Sequence, residues 1–243
     1  MVHNRSALLA ATGNHPYIQL NTVDGAVTGY LLADTTLWIT HGPRGPVGFA
    51  IGDGGRAVRA FAALASAGVL DGVARLSLPR MSLAEVTPCL PATKADDWDF
   101  RWTAVPPPPQ PGEERVVPLT EADEKAIVDL IEEAFPTTST RPGQSQVNRW
   151  YGIWARGRLV ACGADRSRGG VGFLAGLAVA PDLRGRGLGA ALTAAMTRRL
   201  LAVHGRVALG VMADNHGAIR LYERLGFVSR LSRTGVTLDR SGT

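Results

Sequence analysis

The sequence predicts a two-part fold: a smaller mixed α/β domain, then an α/β (α+β) domain in which strands and helices alternate more strongly. Three observations carry this reading. A run of prolines, AVPPPPQPGEE at 104–114, divides the 243 residues, and consecutive prolines forbid helix and disfavour sheet, leaving an extended spacer. Strand-like and helix-like patterns alternate on both sides of it. Apolar residues make up 45% of the chain, enough at this length for a sizeable core. The expected divisions are a domain over 1–103, a linker over 104–114 and a domain over 115–243.

In the first domain, TLWITH and PVGFAI read as short strands, and RAVRAFAALASAGV (Arg56 to Val69) reads as an alanine-rich helix ended by Gly68 or Gly72. ARLSLPR and DFRWTAV follow as strands. Gly52-Asp53-Gly54-Gly55 is rich in glycine, but Asp53 repels a phosphate, so no cofactor is assigned there. Trp38, Trp98 and Trp102 are expected in the core or at an interface.

The second domain begins with the strand RVVPL. Thr120, with Asp123 three residues on, caps a helix from Glu121 to about Phe135. NRWYGIWA and RLVACGA are strands joined at Arg156-Gly157-Arg158, a hairpin turn. GFLAGLAV is almost wholly apolar, as expected of a strand buried on both faces. Next come the helix GLGAALTAAMTRRLLAVHG, the strand VALGVMA and the helix HGAIRLYERLGF. Pro136 to Gln146 and the region from Arg230 to Thr234 are read as loops that touch the acceptor. No internal sequence repeat is visible.

Charge and cysteine content narrow the function classes. Residues 1–105 hold eight basic and eight acidic groups, and residues 106–243 hold eighteen and thirteen, so the excess lies in the second half. Of the 26 basic residues 24 are arginine, a skew that also follows from coding bias. Without a lysine-rich run or interleaved aromatics it does not indicate nucleic acid. No apolar run approaches the roughly 20 positions of a membrane span, and the N-terminal apolar patch stops at Thr12 to His15, too short for a signal-peptide core. A cytoplasmic protein is expected. Cys89 and Cys162 lack metal or redox spacing, so two buried free thiols and no metal site are expected.

The stretch LRGRGLGAAL (Leu183 to Leu192) carries the chemistry. Placed between a buried strand and its helix, it opens the first helical turn, whose free N–H groups and partial positive charge stabilise an anion. Gly185, Gly187 and Gly189 let phosphate oxygens reach the backbone, and Arg184 and Arg186 add charge at the rim. A nucleotide-binding P-loop requires Lys and Ser/Thr where Ala190 and Ala191 stand, and is excluded. A dinucleotide fingerprint drawn through Gly185, Gly187 and Ala190 is a weak match, with Asp214 after the next strand. A glycine-rich turn without a ligand is the plain structural alternative.

Arg184, Gly187 and Gly189 match one signature of the GCN5-related N-acetyltransferase (GNAT) superfamily, and Asn215, Ala218, Tyr222, Gly226 and Phe227 in ADNHGAIRLYERLGF resemble a second. The resemblance covers about Arg115 to Arg240. It implies a mixed sheet whose two central parallel strands, GFLAGLAV and VALGVMA, splay into a V that takes acetyl-CoA as cosubstrate. Backbone groups of Leu177, Ala178 and Val179 then pair with the pantetheine arm. The amides of Arg184, Gly185, Arg186, Gly187, Leu188, Gly189 and Ala190 hold the pyrophosphate. The first domain's order of elements is compatible with a degenerate GNAT-like half, by analogy alone.

Acyl transfer to an amine needs a neutral amine, a stabilised oxyanion and a proton for the departing thiolate. Tyr222 is the expected catalytic acid, sharing a helix face with Ala218; the alternative is a core tyrosine packed with Leu221 and Leu225. The resemblance implies the Val179 N–H as oxyanion donor. Asn215 bonds the cofactor arm, caps the following helix, or does both. Some relatives carry a glutamate base eleven residues before the position of Arg184, where this chain has Phe173. Asp214, His216 and Glu132 are the remaining candidates for a base, and His204 fits a helix C-terminus. The expected function is acetyl transfer from acetyl-CoA to a primary amine of a small molecule or peptide by direct ternary-complex attack. The alternative is a non-catalytic acyl-CoA-binding sensor or scaffold. The partners expected are acetyl-CoA and an amine acceptor, with a homodimer allowed and neither nucleic acid nor a membrane.

Overall fold

The structure is a computed structural model that describes residues 1–22, 27–42 and 45–239. Residues 23–26, 43–44 and 240–243, which the expected domains include, lie outside the described residues. In chain order the elements are α1 (Arg5–Ala11), α2 (Pro16–Leu20), β1 (Thr28–Leu31), β2 (Thr36–Gly42), β3 (Gly45–Ile51), α3 (Gly54–Ser66), β4 (Arg75–Pro79), α4 (Leu83–Val86), β5 (Ala92–Thr103), β6 (Val117–Leu119), α5 (Glu124–Ala134), β7 (Arg149–Ala155), β8 (Arg158–Asp165), β9 (Gly172–Val179), α6 (Leu188–His204), β10 (Val207–Met212), α7 (His216–Arg224) and β11 (Ser229–Leu238). They gather into two compact units. The first comprises Met1–Phe100, Val211–Asn215 and Arg230–Thr243; the second comprises Arg101–Gly210 and His216–Ser229.

Unit 1 is a sheet in the order β1-β2-β3-β4-β11-β5. Asp53 starts α3 by accepting the Arg56 N–H at 2.6 Å, so the glycine-rich run before that helix is a cap and a turn. Gly52, at φ 101°, leaves no room for a side chain: a Cβ there would stand 2.0 Å from the Asp34 carbonyl oxygen. The helix then lays Ala57, Val58 and Phe61 on Leu37, Ala50, Leu76, Leu78 and Val236 to make the core. β11 corrects an expectation. The stretch from Arg230 to Thr234, read as an acceptor loop, is part of a strand paired antiparallel with β4, Arg233 opposite Pro79 and Val236 opposite Leu76. Its weak apolar pattern hid a register set by a partner about 150 residues away in sequence. Cys89 is exposed, against expectation, because it follows the single helical turn of α4, too short to cover it.

Unit 2 is a sheet in the order β10-β9-β8-β7-β6. Thr120 and Asp123 form the expected capping box, with a short 3-10 turn over Glu121–Asp123 before α5. The hairpin between β7 and β8 turns on Arg156 (φ 49°) and Gly157 (φ 76°), with Ala155 opposite Arg158. Two central residues at positive φ suit the twist of the flanking strands. The proline segment has no regular structure from 104 to 112. Arg198 of α6 holds it by donating to the Pro107 carbonyl at 2.6 Å and to Glu113 at 2.9 Å.

The two units share a sequence of pairings that the amino acids do not reveal. β1–β2 and β2–β3 are antiparallel, then α3 leads to the parallel pair β3–β4. β7–β8 and β8–β9 are antiparallel, then α6 leads to the parallel pair β9–β10.

Candidate active site

β9 and β10 run together for only three positions, Gly172 with Val207, Phe173 with Ala208 and Leu174 with Leu209. Beyond Leu174 the strand stays with β8 but has no partner on its other edge among the described residues. β9 is therefore not buried on both faces: Phe173, Ala175, Gly176, Leu177 and Val179 are half-exposed. The apolar run was legible from the residues themselves; the open edge beside it was expected from the GNAT resemblance alone. Gly176 marks a break in the β8–β9 register, at φ 58° with Thr140 and Trp150 each 3.3 Å from where a Cβ would sit. Ala180 donates to the Val160 carbonyl at 2.9 Å. Since N–H direction alternates along a strand, the Val179 N–H points away from β8, toward the open edge.

A 3-10 turn over Pro181–Leu183 carries the chain from this edge to α6. Gly185 (φ 76°) and Gly187 (φ 81°) take the left-handed conformation, both exposed, with nothing within 4 Å of an added Cβ. α6 begins at Leu188, and the N–H groups of Leu188, Gly189 and Ala190 have no helical carbonyl ahead of them. The residues present thus fit a diphosphate, since backbone donors face open space over a surface without side chains. A Cβ on Gly189 would lie 3.6 Å from Val179 and 3.5 Å from Leu221. One small residue therefore joins the helix start, the β9 edge and α7.

The two arginines of the turn separate. Arg184 donates to the Ala134 carbonyl at the end of α5 (2.9 Å) and to the Val179 carbonyl (3.4 Å), so its side chain braces the turn instead of edging it with charge. Arg186 is exposed with no ion pair among the described residues. Asp182, two residues before Arg184, is paired with Arg158 at 3.1 Å, which also binds Glu133 at 2.7 Å. That pairing offsets a carboxylate close to the turn expected to hold an anion, and no local pattern announced it.

Tyr222 is 8% exposed and shares the face of α7 that carries Ala218. Burial pushes its phenol up to about 12, because the charged form loses solvent. Its ring meets Phe227 edge-on at 6.1 Å, and its carbonyl accepts the Phe227 N–H at 2.9 Å. Arg101, missed in the sequence because its partners lie more than 120 residues away, is buried and holds α7 by donating to Glu223 (3.0 Å) and to the Phe227 carbonyl (3.3 Å). Unit 2 thus brings Leu177, Ala178, Val179, the run Arg184 to Ala190 and the helix of Tyr222 onto adjoining elements. Asn215 is exposed, donates its N–H to the Met212 carbonyl at 3.1 Å and belongs to unit 1. Of the candidate bases, Asp214 and His216 are exposed, and Glu132 is paired with Arg141 at 3.1 Å. Among the described residues no cluster of His, Cys, Asp or Glu is arranged for a metal ion, and no helix is long and apolar enough to cross a membrane.

The profile of the Acetyltransferase (GNAT) family matches residues 119–227. Those residues are thus similar to a GNAT acetyltransferase domain. The GNAT family uses acetyl-CoA as cosubstrate, so acyl transfer from acetyl-CoA is the chemistry that this likeness implies. Solved structures agree on the fold. A GNAT-family protein from Novosphingobium aromaticivorans matches at a TM-score of 0.58 and 25% identity, over 88% of this chain and 91% of its own. A GCN5-related N-acetyltransferase from Kribbella flavida matches at 0.57 and 19%, over 97% and 96%. A GCN5-related N-acetyltransferase-like protein from Streptococcus suis matches at 0.56 and 11%, over 96% and 98%. No curated protein matches the sequence.

Proposed function

We propose that the GNAT domain transfers the acetyl group of acetyl-CoA to a primary amine of a small molecule or peptide, by direct attack within a ternary complex. The parting of β9 from β10 after Leu174 and Leu209, beside a helix start flanked by left-handed glycines, carries this reading. The cosubstrate supplies a thioester carbonyl. The backbone from Arg184 to Ala190 holds the diphosphate, and Arg186, without an ion pair among the described residues, adds a positive charge. The free edge of Leu177–Val179 pairs with the pantetheine arm as an added strand would. The Val179 N–H, turned toward that edge, donates to the carbonyl oxygen as it gains charge.

The amine nitrogen bonds to the carbonyl carbon, the C–S bond breaks, and the proton the nitrogen sheds ends on sulfur. A thiol ordinarily titrates near 8.5, whereas burial sets the Tyr222 phenol at about 12. Full transfer of the phenol's own proton to the thiolate is therefore uphill by roughly 5 kcal/mol. Tyr222 serves as a neutral donor that hydrogen-bonds the departing sulfur. β9 offers no titratable side chain, so the amine reacts as its neutral form.

Following thiol release with acetyl-CoA and a panel of amines tests the assignment. Turnover is expected, with kcat/KM rising tenfold per pH unit up to the amine's own pKa. Tyr222→Phe is expected to lower kcat by about 10- to 100-fold. Saturable acetyl-CoA binding without turnover on any amine would replace the enzyme with an acyl-CoA sensor.

A further inference from the structure

Unit 1 contains a cation whose charge nothing among the described residues balances. Arg233 of β11 is 0% exposed. Its guanidinium lies over the Tyr17 ring, 4.7 Å from the ring centre, and donates to the hydroxyl and the carbonyl of Ser77. Among the described residues Nη1 is buried without a hydrogen-bond partner, and no carboxylate pairs with the group. Trp38 of β2, also 0% exposed, has its Nε1–H buried and unpartnered as well. That indole stacks on Phe49 at 5.3 Å and meets the same Tyr17 ring edge-on at 6.0 Å.

The strand register puts these groups on one face. Trp38 stands opposite Phe49, Phe49 beside Ser77, and Ser77 opposite Gly235, two residues from Arg233. Tyr17 of α2 lies against that face, its hydroxyl donating to Ser77 at 2.8 Å. Phe49 and Ser77 are also the last paired positions of β3 and β4, as Leu174 and Leu209 are for β9 and β10.

An arginine cannot shed its proton to escape burial, and a buried charge without a counter-charge is costly. The tyrosine face and the neutral oxygens of Ser77 ease that cost without cancelling the charge. Two donors, one of them cationic, lie beside one aromatic ring with no acceptor for either among the described residues. The missing component is an acceptor, it is negative, and it is small, because the surroundings are packed rings. We propose that unit 1 contains a buried site for a small monovalent anion, a halide or a carboxylate group, held by Arg233 Nη1 and Trp38 Nε1 beside Tyr17.

The test uses the full chain exchanged into a buffer whose only anion is a bulky sulfonate, at constant ionic strength, titrated with sodium chloride or sodium acetate. A saturable rise in Tm with at least one salt is expected, by mass action on the folded state. Trp38→Phe keeps the stacked ring and removes its donor, and is expected to raise the apparent Kd about tenfold. Arg233→Met is expected to abolish the response. Response to chloride alone assigns the site to a free halide; a tighter response to acetate assigns it to the carboxylate of an organic ligand. No saturable response, or an unchanged Kd in Trp38→Phe, overturns the site. Trp38→Phe decides the matter even where Arg233→Met does not fold.

Discussion

At Gly187 a backbone φ of 81° coincides with open space where a side chain would stand. Alanine there carries a left-handed strain of about 1 kcal/mol, and its methyl projects into open space, where the proposed function puts the diphosphate. Gly187→Ala is expected to lower stability only by that amount while raising KM for acetyl-CoA about tenfold or more. Urea unfolding and steady-state kinetics on one preparation check both halves; a large loss of stability with an unchanged KM would make the glycine structural. Gly185 and Gly187 were legible because a tight left-handed turn into a helix demands glycine locally. Arg184 was not, since the carbonyl that captures it belongs to Ala134, fifty residues earlier in the chain.

Among the elements, α5 and α6 are linked end to start by Arg184, which gives α5's last turn a cationic partner and fixes the turn ahead of Leu188. Arg184→Ala is expected to speed amide exchange at Leu188 to Ala190 and raise KM for acetyl-CoA several-fold, leaving kcat nearly unchanged. Unaltered exchange would show that the glycines hold the turn alone. The strands and helices from β6 to α7 could be read in order because each carries its own period, cap or turn pair, as at Thr120 and at Arg156-Gly157. α1, α2 and β11 could not. The first two are short helices started by Asn4 and Pro16 within an ambiguous apolar patch, and β11 takes its identity from β4.

For the molecule as a whole, two buried weak acids add a pH dependence on the alkaline side. Burial pushes the Cys162 thiol from 9.0 up to about 12 and the Tyr222 phenol from 10.0 to about 12. Above pH 9 the unfolded chain sheds these protons before the folded one does. Stability contributed here is complete below pH 9 and is lost as pH rises toward 12. For Cys162 alone the full swing is about 4 kcal/mol. Urea midpoints measured from pH 8 to 11 are expected to fall in the wild type from pH 9, and Cys162→Ala to flatten the fall between 9 and 10; a parallel fall in the variant would remove the thiol from the account.

The β4-β11-β5 order in unit 1 has a consequence for biosynthesis. A nascent polypeptide leaves the ribosome N-terminus first, so β4 waits for a strand about 150 residues further along the chain. Until β11 emerges, β4 presents an unsatisfied edge that other chains can capture, which makes the arrival of β11, and not the emergence of the proline segment, the moment at which this half closes.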